Sequence, residues 1–171
     1  MQLIINVPQP VIAEVDGVAT AAGCQLVASC DLAISSQESK FATPGVNIGL
    51  FCSTPMVALS RNIGKKHAMQ MLLTGDLISA KKAKEIGLIN DVIGKNELET
   101  TIKELTTKIA SKSFMTIKTG KKAFYAQAEM DLSKAYEYTS TVMAENLLRN
   151  DAKEGIDAFI EKRDPNWNND Q

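Results

Sequence analysis

The residues best suited to do chemistry lie in one run, VIAEVDGVATAAGCQLVASCDLAI, from Val11 to Ile34. Val11, Ala13 and Val15 alternate with Ile12 and Glu14, which predicts a strand over 10–16, and Asp16-Gly17 then turns the chain. A Val18-Ala19-Thr20 loop leads into Ala21–Cys30 (AAGCQLVASC), whose small side chains predict a buried helix. The start of such a helix carries backbone N–H groups without an intrahelical acceptor, at the positive end of the helix dipole. Donors fixed in this way can stabilise an enolate or a tetrahedral oxyanion, provided that no bulky side chain blocks the approach. Ala21, Ala22 and Gly23 would let a thioester carbonyl reach the backbone. The same small residues also permit close packing of a helix on a sheet, and their types do not separate the two uses.

Other reactive side chains are sparse. Cys24, Cys30 and Cys52 form no C-x-x-C pair. On one helix Cys24 and Cys30 stand about 120° apart around the axis, a poor metal clamp, so no metal site is expected. An odd number of thiols, after residues 1–9 that show neither a charged n-region nor a cleavage site, predicts reduced cysteines. His67 has no second imidazole to work with. It reads as an ordinary surface or half-buried histidine.

These residues need a scaffold, and the chain supplies two kinds of pattern. Up to residue 50, short apolar runs are broken by Gly, Pro, Asp and Ser, with further strands predicted at Leu32–Ser35 and Phe41–Thr43. From Pro55 the pattern turns helical, through MVALSRNIG and KKHAMQMLLTG. Ser79 is placed to cap a helix that Gly87 stops, and Leu88–Ile93 reads as a last strand. Beyond residue 96 the chain reads as helices. Leu98, Ile102, Leu105 and Ile109 form one apolar stripe. Asp131 caps a long helix bearing Leu132, Tyr136, Thr139, Met143 and Leu147, and a final helix from about Ala152 carries Ile156, Phe159 and Ile160. Pro165 should end that helix and leave the polar tail NWNNDQ frayed. The expected fold class is α/β, divided into residues 1–95 and a helical region 96–171.

With 171 residues, 44% of them hydrophobic, the chain can build a real core. A formal net charge of −1 gives no electrostatic case for nucleic acid or an anionic membrane as partner, and no apolar stretch reaches spanning length. A cytoplasmic protein is expected.

The motifs add a resemblance. PVIAEVDG, then GCQLVASCD, then FATP with Gly49, is similar to the signature of the crotonase superfamily, the enoyl-CoA hydratase/isomerase group. MLLTGDLISAKKAKEIGLINDVI and the terminal GIDAFIEKRDPNW continue the likeness over nearly the whole chain. The resemblance implies the C-terminal part of a spiral of ββα units, followed by helices used for assembly into a trimer or hexamer. It implies an acyl-CoA thioester as ligand, with coenzyme A arriving as part of the substrate and no separate cofactor, and a place in fatty acid metabolism. One donor to the thioester oxygen would be the backbone N–H at Ala22. Phe159 and Lys162 fall where the family's C-terminal helix approaches the acyl-CoA, and Cys52 is expected to line the acyl pocket.

Two departures accompany the likeness. Family members carry a substantial part ahead of PVIA, with the other oxyanion donor and much of the adenine pocket, so the chain is expected to lack that part, as a fragment or a truncated product, or to have it supplied by another chain; a transit peptide in the missing part would direct it to the mitochondrial matrix. The two glutamates of the family's hydratases match Gln25 and Gly45 here. A Gln amide does not exchange a proton near neutral pH, and glycine has no side chain. Asp31, just after the helix, is expected to be a structural turn acid. Three functions follow from these features: an enzyme of non-hydratase type working from the oxyanion turn, a catalytically silent acyl-CoA binder, or an assembly partner of full-length homologues.

Overall fold

The structure is a computed structural model that describes residues 1–168. The chain forms two compact units, one built from residues 1–5 and 11–105, the other from 6–10 and 106 onward.

In the first unit, β1 (Ile12–Val15), β2 (Val18–Thr20) and α2 (Ala22–Ser29) make one ββα turn, preceded by α1 (Gln2–Asn6). β3 (Leu32–Ser36) and β4 (Lys40–Ala42) begin the next. β1 pairs with β3 in parallel, Ile12 opposite Leu32, and β2 pairs with β4 in parallel, Val18 opposite Lys40. The first strand of each unit therefore joins one sheet and the second joins another. β6 (Asp91–Ile93) extends the first sheet in parallel, and β5 (Ile78–Ser79) closes the second in antiparallel fashion. This is the ββα spiral that the motifs implied. Val18-Ala19-Thr20 is a strand and not the expected loop. Three residues are too few to show a period of two, and their partner lies 22 positions later, beyond any local signal.

Side chains lock the spiral where successive turns meet. Ser39 Oγ donates to the Val15 carbonyl at 2.9 Å and accepts from Gly17 N–H at 3.1 Å, so one buried hydroxyl ties two strand corners. Asp31 Oδ2 accepts from Val11 N–H at 2.6 Å, which makes Asp31 a turn acid. Behind the sheets lie α3 (Ser53–Asn62), α4 (Lys65–Thr74) and α5 (Ala80–Glu85). Phe41, Leu59 and Leu72 are fully enclosed there with Cys24, Ala80 and Ala83. Burial of each large side chain contributes about 1.5–3 kcal/mol. Ser79 caps α5, its Oγ accepting from Lys82 N–H at 3.2 Å.

α6 (Leu98–Ala110) leads into the second unit, which holds α7 (Phe114–Gln127), α8 (Leu132–Leu147) and α9 (Asn150–Glu161). Asp131 caps α8 through Lys134 N–H at 3.1 Å. The residues buried on α7 and α8 are alanines, Ala123 and Ala135, and α9 buries Ala158 and Asp151. The large apolar residues of α8 (Leu132, Tyr136, Met143 and Leu147) stand exposed. The segment after α9 is fastened instead of frayed as far as residue 168. Trp167 Nε1 donates to the Ser111 carbonyl at 2.8 Å, Asn166 N–H to Glu154 Oε1 at 2.7 Å, and Asn168 N–H to Asp151 Oδ1 at 3.1 Å. The last residues of the expected frayed tail, 169–171, lie outside the described part.

Candidate active site

The turn before α2 is held under strain. Ala21 has φ 47° and ψ −113°, a conformation that residues with a Cβ seldom adopt and that costs on the order of 1–3 kcal/mol. Two backbone hydrogen bonds enforce it: Ala21 N–H donates to the Ala42 carbonyl, and Gln25 N–H donates to the Ala21 carbonyl, both at 3.0 Å. The turn is thus fixed to β4 on one side and to the first coil of α2 on the other. No side chain caps α2. Among the described residues, Ala22 N–H meets no acceptor, and Ala22 and Gly23 are exposed. Gln25 lies one turn further along, half-buried. Here the protein presents unused backbone donors on an accessible surface.

Gly45 sits in a 3-10 turn, Pro44–Ile48, that follows β4. Its φ is not positive, so backbone conformation does not require glycine. Crowding does. A Cβ at position 45 would lie 2.5 Å from the Leu50 carbonyl oxygen and 2.8 Å from Cys52 Sγ. Leu50 N–H donates back to the Gly45 carbonyl at 2.9 Å, which holds the two segments face to face. Cys52 precedes α3, half-buried, and packs against the main core, which includes the fully buried Cys24. Burial, with a smaller contribution from Cys52, pushes the Cys24 thiol up to about 12, so Cys24 stays a protonated core residue. Thr43, two residues before Gly45, is fully buried, and its Oγ1 has no hydrogen-bond partner among the described residues.

The first unit therefore holds Ala22, Gln25, Gly45 and Cys52, with Gly45 and Cys52 in direct apposition. Phe159 and Lys162 belong to the second unit. Phe159 is 85% exposed on α9, and Lys162 ends that helix in a left-handed conformation with φ 55°. Next to Lys162, Arg163 grips Glu154 with both terminal nitrogens, at 2.6 and 2.9 Å, and holds the Glu154 carboxyl down at about 2. His67 is half-buried on α4. Among the described residues no cluster of His, Cys, Asp and Glu is arranged to hold a metal ion, and no helix is long and apolar enough to cross a membrane. Sequence reasoning missed the Leu50 carbonyl and the Thr43 hydroxyl. Pro44-Gly45 signals a turn, but nothing in the residue types says what packs against it.

The parallel ββα spiral places the chain in the crotonase fold class. The family model for enoyl-CoA hydratase/isomerase matches residues 1–170, and the chain belongs to that family. It is 53% identical, over 98% of its own length, to enoyl-CoA hydratase domain-containing protein 3, mitochondrial, of Rattus norvegicus, and spans 56% of that relative. The crystal structure of human enoyl-CoA hydratase domain-containing protein 3 superposes with a TM-score of 0.95 at 52% identity, covering 97% of this chain and 66% of the human one. The crystal structure of an enoyl-CoA hydratase of Mycobacterium smegmatis gives a TM-score of 0.95 at 49% identity, covering 97% and 65%.

Proposed function

We propose that this protein binds an acyl-CoA thioester and holds the thioester oxygen on the backbone N–H of Ala22, without carrying out two-carboxylate hydration. The carrying observation is the exposed, unpartnered Ala22 N–H beside a strained Ala21 that two hydrogen bonds keep in place. Strain maintained at an accessible helix start is more than packing requires, and it preorganises a donor for a developing negative charge. The names of the relatives, which refer to enoyl-CoA, support the ligand class. In this reading Gln25 and Gly45 occupy the two positions that flank the reacting acyl carbons, and neither supplies a carboxylate. Cys52 lines the acyl pocket, and Phe159 and Lys162 contact the bound acyl-CoA. Residues 1–95 carry the core that positions the site, and 96–171 are an assembly region. The assembly is a homotrimer or hexamer, supported by the exposed Leu132, Tyr136, Met143 and Phe159. The mitochondrial name of the rat relative supports a mitochondrial setting for this chain.

A second reading, a catalytically silent acyl-CoA binder, is favoured by the filled space at Gly45. One experiment separates them. Thermal melting with saturating butyryl-CoA should raise stability by about 2.7 kcal/mol at a hundredfold excess over Kd. A panel of acyl-CoA thioesters is then assayed for turnover. Stabilisation with slow non-hydratase turnover supports the enzyme, and stabilisation without turnover supports the binder. Melting unchanged by any acyl-CoA refutes both.

A further inference from the structure

Among the described residues, Thr43 Oγ1 is the buried side-chain polar atom without a hydrogen-bond partner, although Thr43 is fully enclosed. We infer that Thr43 binds one internal water molecule, which joins its hydroxyl to the backbone of the turn around Gly45. This site does not depend on the acyl-CoA reading above.

Three observations carry this. First, a hydroxyl taken out of water and given nothing in exchange is a net cost, and buried polar groups are nearly always paired with protein or with ordered water. The neighbouring enclosed hydroxyls keep that rule. Ser35 Oγ donates to the Ser36 carbonyl at 3.2 Å, Ser36 Oγ and Ser39 Oγ pair at 2.9 Å, and Ser39 Oγ donates to the Val15 carbonyl at 2.9 Å. Thr43, immediately after β4, is the exception. Second, the backbone that follows is short of partners as well. Pro44 has no N–H, so Gly45 carries the first donor after Thr43, and among the described residues that N–H meets no acceptor. The Thr43 hydroxyl makes no direct bond to the turn Pro44–Ile48. The Leu50 carbonyl, which lies against Gly45, accepts no hydrogen bond among the described residues. Third, the three groups are complementary to water. The hydroxyl donates or accepts, the N–H donates and the carbonyl accepts, so one molecule with two protons and two lone pairs satisfies all of them. Three bonds are also what an internal water typically makes. The water fastens the Gly45 turn to the end of β4, next to Ala42, whose carbonyl holds the Ala21 N–H at 3.0 Å. The open donor turn and the closed turn are thereby secured to the same strand end.

The test turns on the sign of one substitution. Thr43→Val keeps the shape of the side chain and removes its hydroxyl. With a water held at Thr43, the variant strands the Gly45 N–H and the Leu50 carbonyl, and the melting midpoint falls by about 2–4 °C, the shift that one lost hydrogen bond gives in a chain of this size. With a bare hydroxyl, the same substitution removes an unpaired polar group, and the midpoint rises. A midpoint that rises or does not move overturns the inference. Crystal structures of the unaltered protein, Thr43→Ser and Thr43→Val then locate the molecule. One water within hydrogen-bond distance of the residue 43 hydroxyl is expected in the first two, and none in the third. A Thr43 hydroxyl bonded to a protein group, or no water beside it in the unaltered protein, overturns the inference even should Thr43→Val not fold. All of these readings are taken without acyl-CoA, so the water site and the acyl-CoA reading fail separately.

Discussion

At Ala21–Gly23 the protein leaves space beside its backbone, and at Gly45 it fills that space. A Cβ on Gly23 would meet nothing within 4 Å, whereas one on Gly45 would meet the Leu50 carbonyl at 2.5 Å and the Cys52 sulfur at 2.8 Å. Both are small-residue turns that follow short strands, and a sequence shows them as the same kind of feature. Their physics is opposite. The first keeps a donor open by holding Ala21 at φ 47°. The second closes on itself, with Leu50 N–H bonded to the Gly45 carbonyl. In our reading the capacity to stabilise a thioester oxyanion is retained and the room for a second carboxylate is gone.

The largest effect should come from Ala22→Pro. Proline removes the donor at the first position of α2, where the N–H has no intrahelical use, but it also works against the backbone conformation of the preceding Ala21. Any turnover that depends on this donor should fall by about 3–4 kcal/mol in transition-state stabilisation, with Ala22→Gly mild. Circular dichroism must show α2 intact, and a folded proline variant with full turnover would reduce the turn to packing.

Next, Gly45→Ala should destabilise the protein by about 1–3 kcal/mol, because the new methyl group enters occupied volume beside a backbone carbonyl. Gly45→Glu meets the same clash, so pairing it with Gln25→Glu should not create a hydratase; crotonyl-CoA hydration by that pair at the rate of a two-glutamate relative would refute the argument. Gly23→Ala should have the opposite sign and stabilise by about 0.4–1 kcal/mol, since its Cβ has room and helix propensity improves. Denaturant melts of the two alanine variants read the contrast directly. Shifts of equal sign would erase it.

The smallest effect is expected outside the comparison, at the fastening after α9. Glu154 is held at about 2 in the folded protein against an ordinary 4.5, chiefly by Arg163. A depressed carboxyl contributes stability above pH 4.5, and that contribution is lost as pH falls through about 2. The emission of Trp167, the chain's single tryptophan, should change over that window, and Glu154→Gln should remove the transition. An unchanged profile in Glu154→Gln would assign it to another group.

Much of this was legible in the residues because the signals were local. Ser79 and Asp131 cap helices where their positions suggested, each accepting from the backbone three residues on. Small residues marked α2, and alternation marked β1. What the sequence did not reveal was decided by partners far along the chain. β2 exists because β4 lies beside it. The segment through Asn168 is fastened by Ser111, Asp151 and Glu154, which no short motif announces. Periodicity identified the apolar stripe on α8 but not that Leu132 and Tyr136 are exposed. At the candidate site, residue types gave a helix start with unused donors, and the family resemblance singled out Ala22. They left the need for glycine at 45 unexplained, because crowding by Leu50 and Cys52 is a property of the packed turn.

The central claim is that Ala22 N–H holds the thioester oxygen, and carbon NMR of bound butyryl-CoA labelled with ¹³C at the thioester carbonyl tests it most directly. Polarisation by a fixed donor moves that resonance downfield on binding to the unaltered protein and to Ala22→Gly, and Ala22→Pro should lose most of the shift while still binding. An equal shift in the folded proline variant, or bound ligand with no shift in the unaltered protein, would contradict the account.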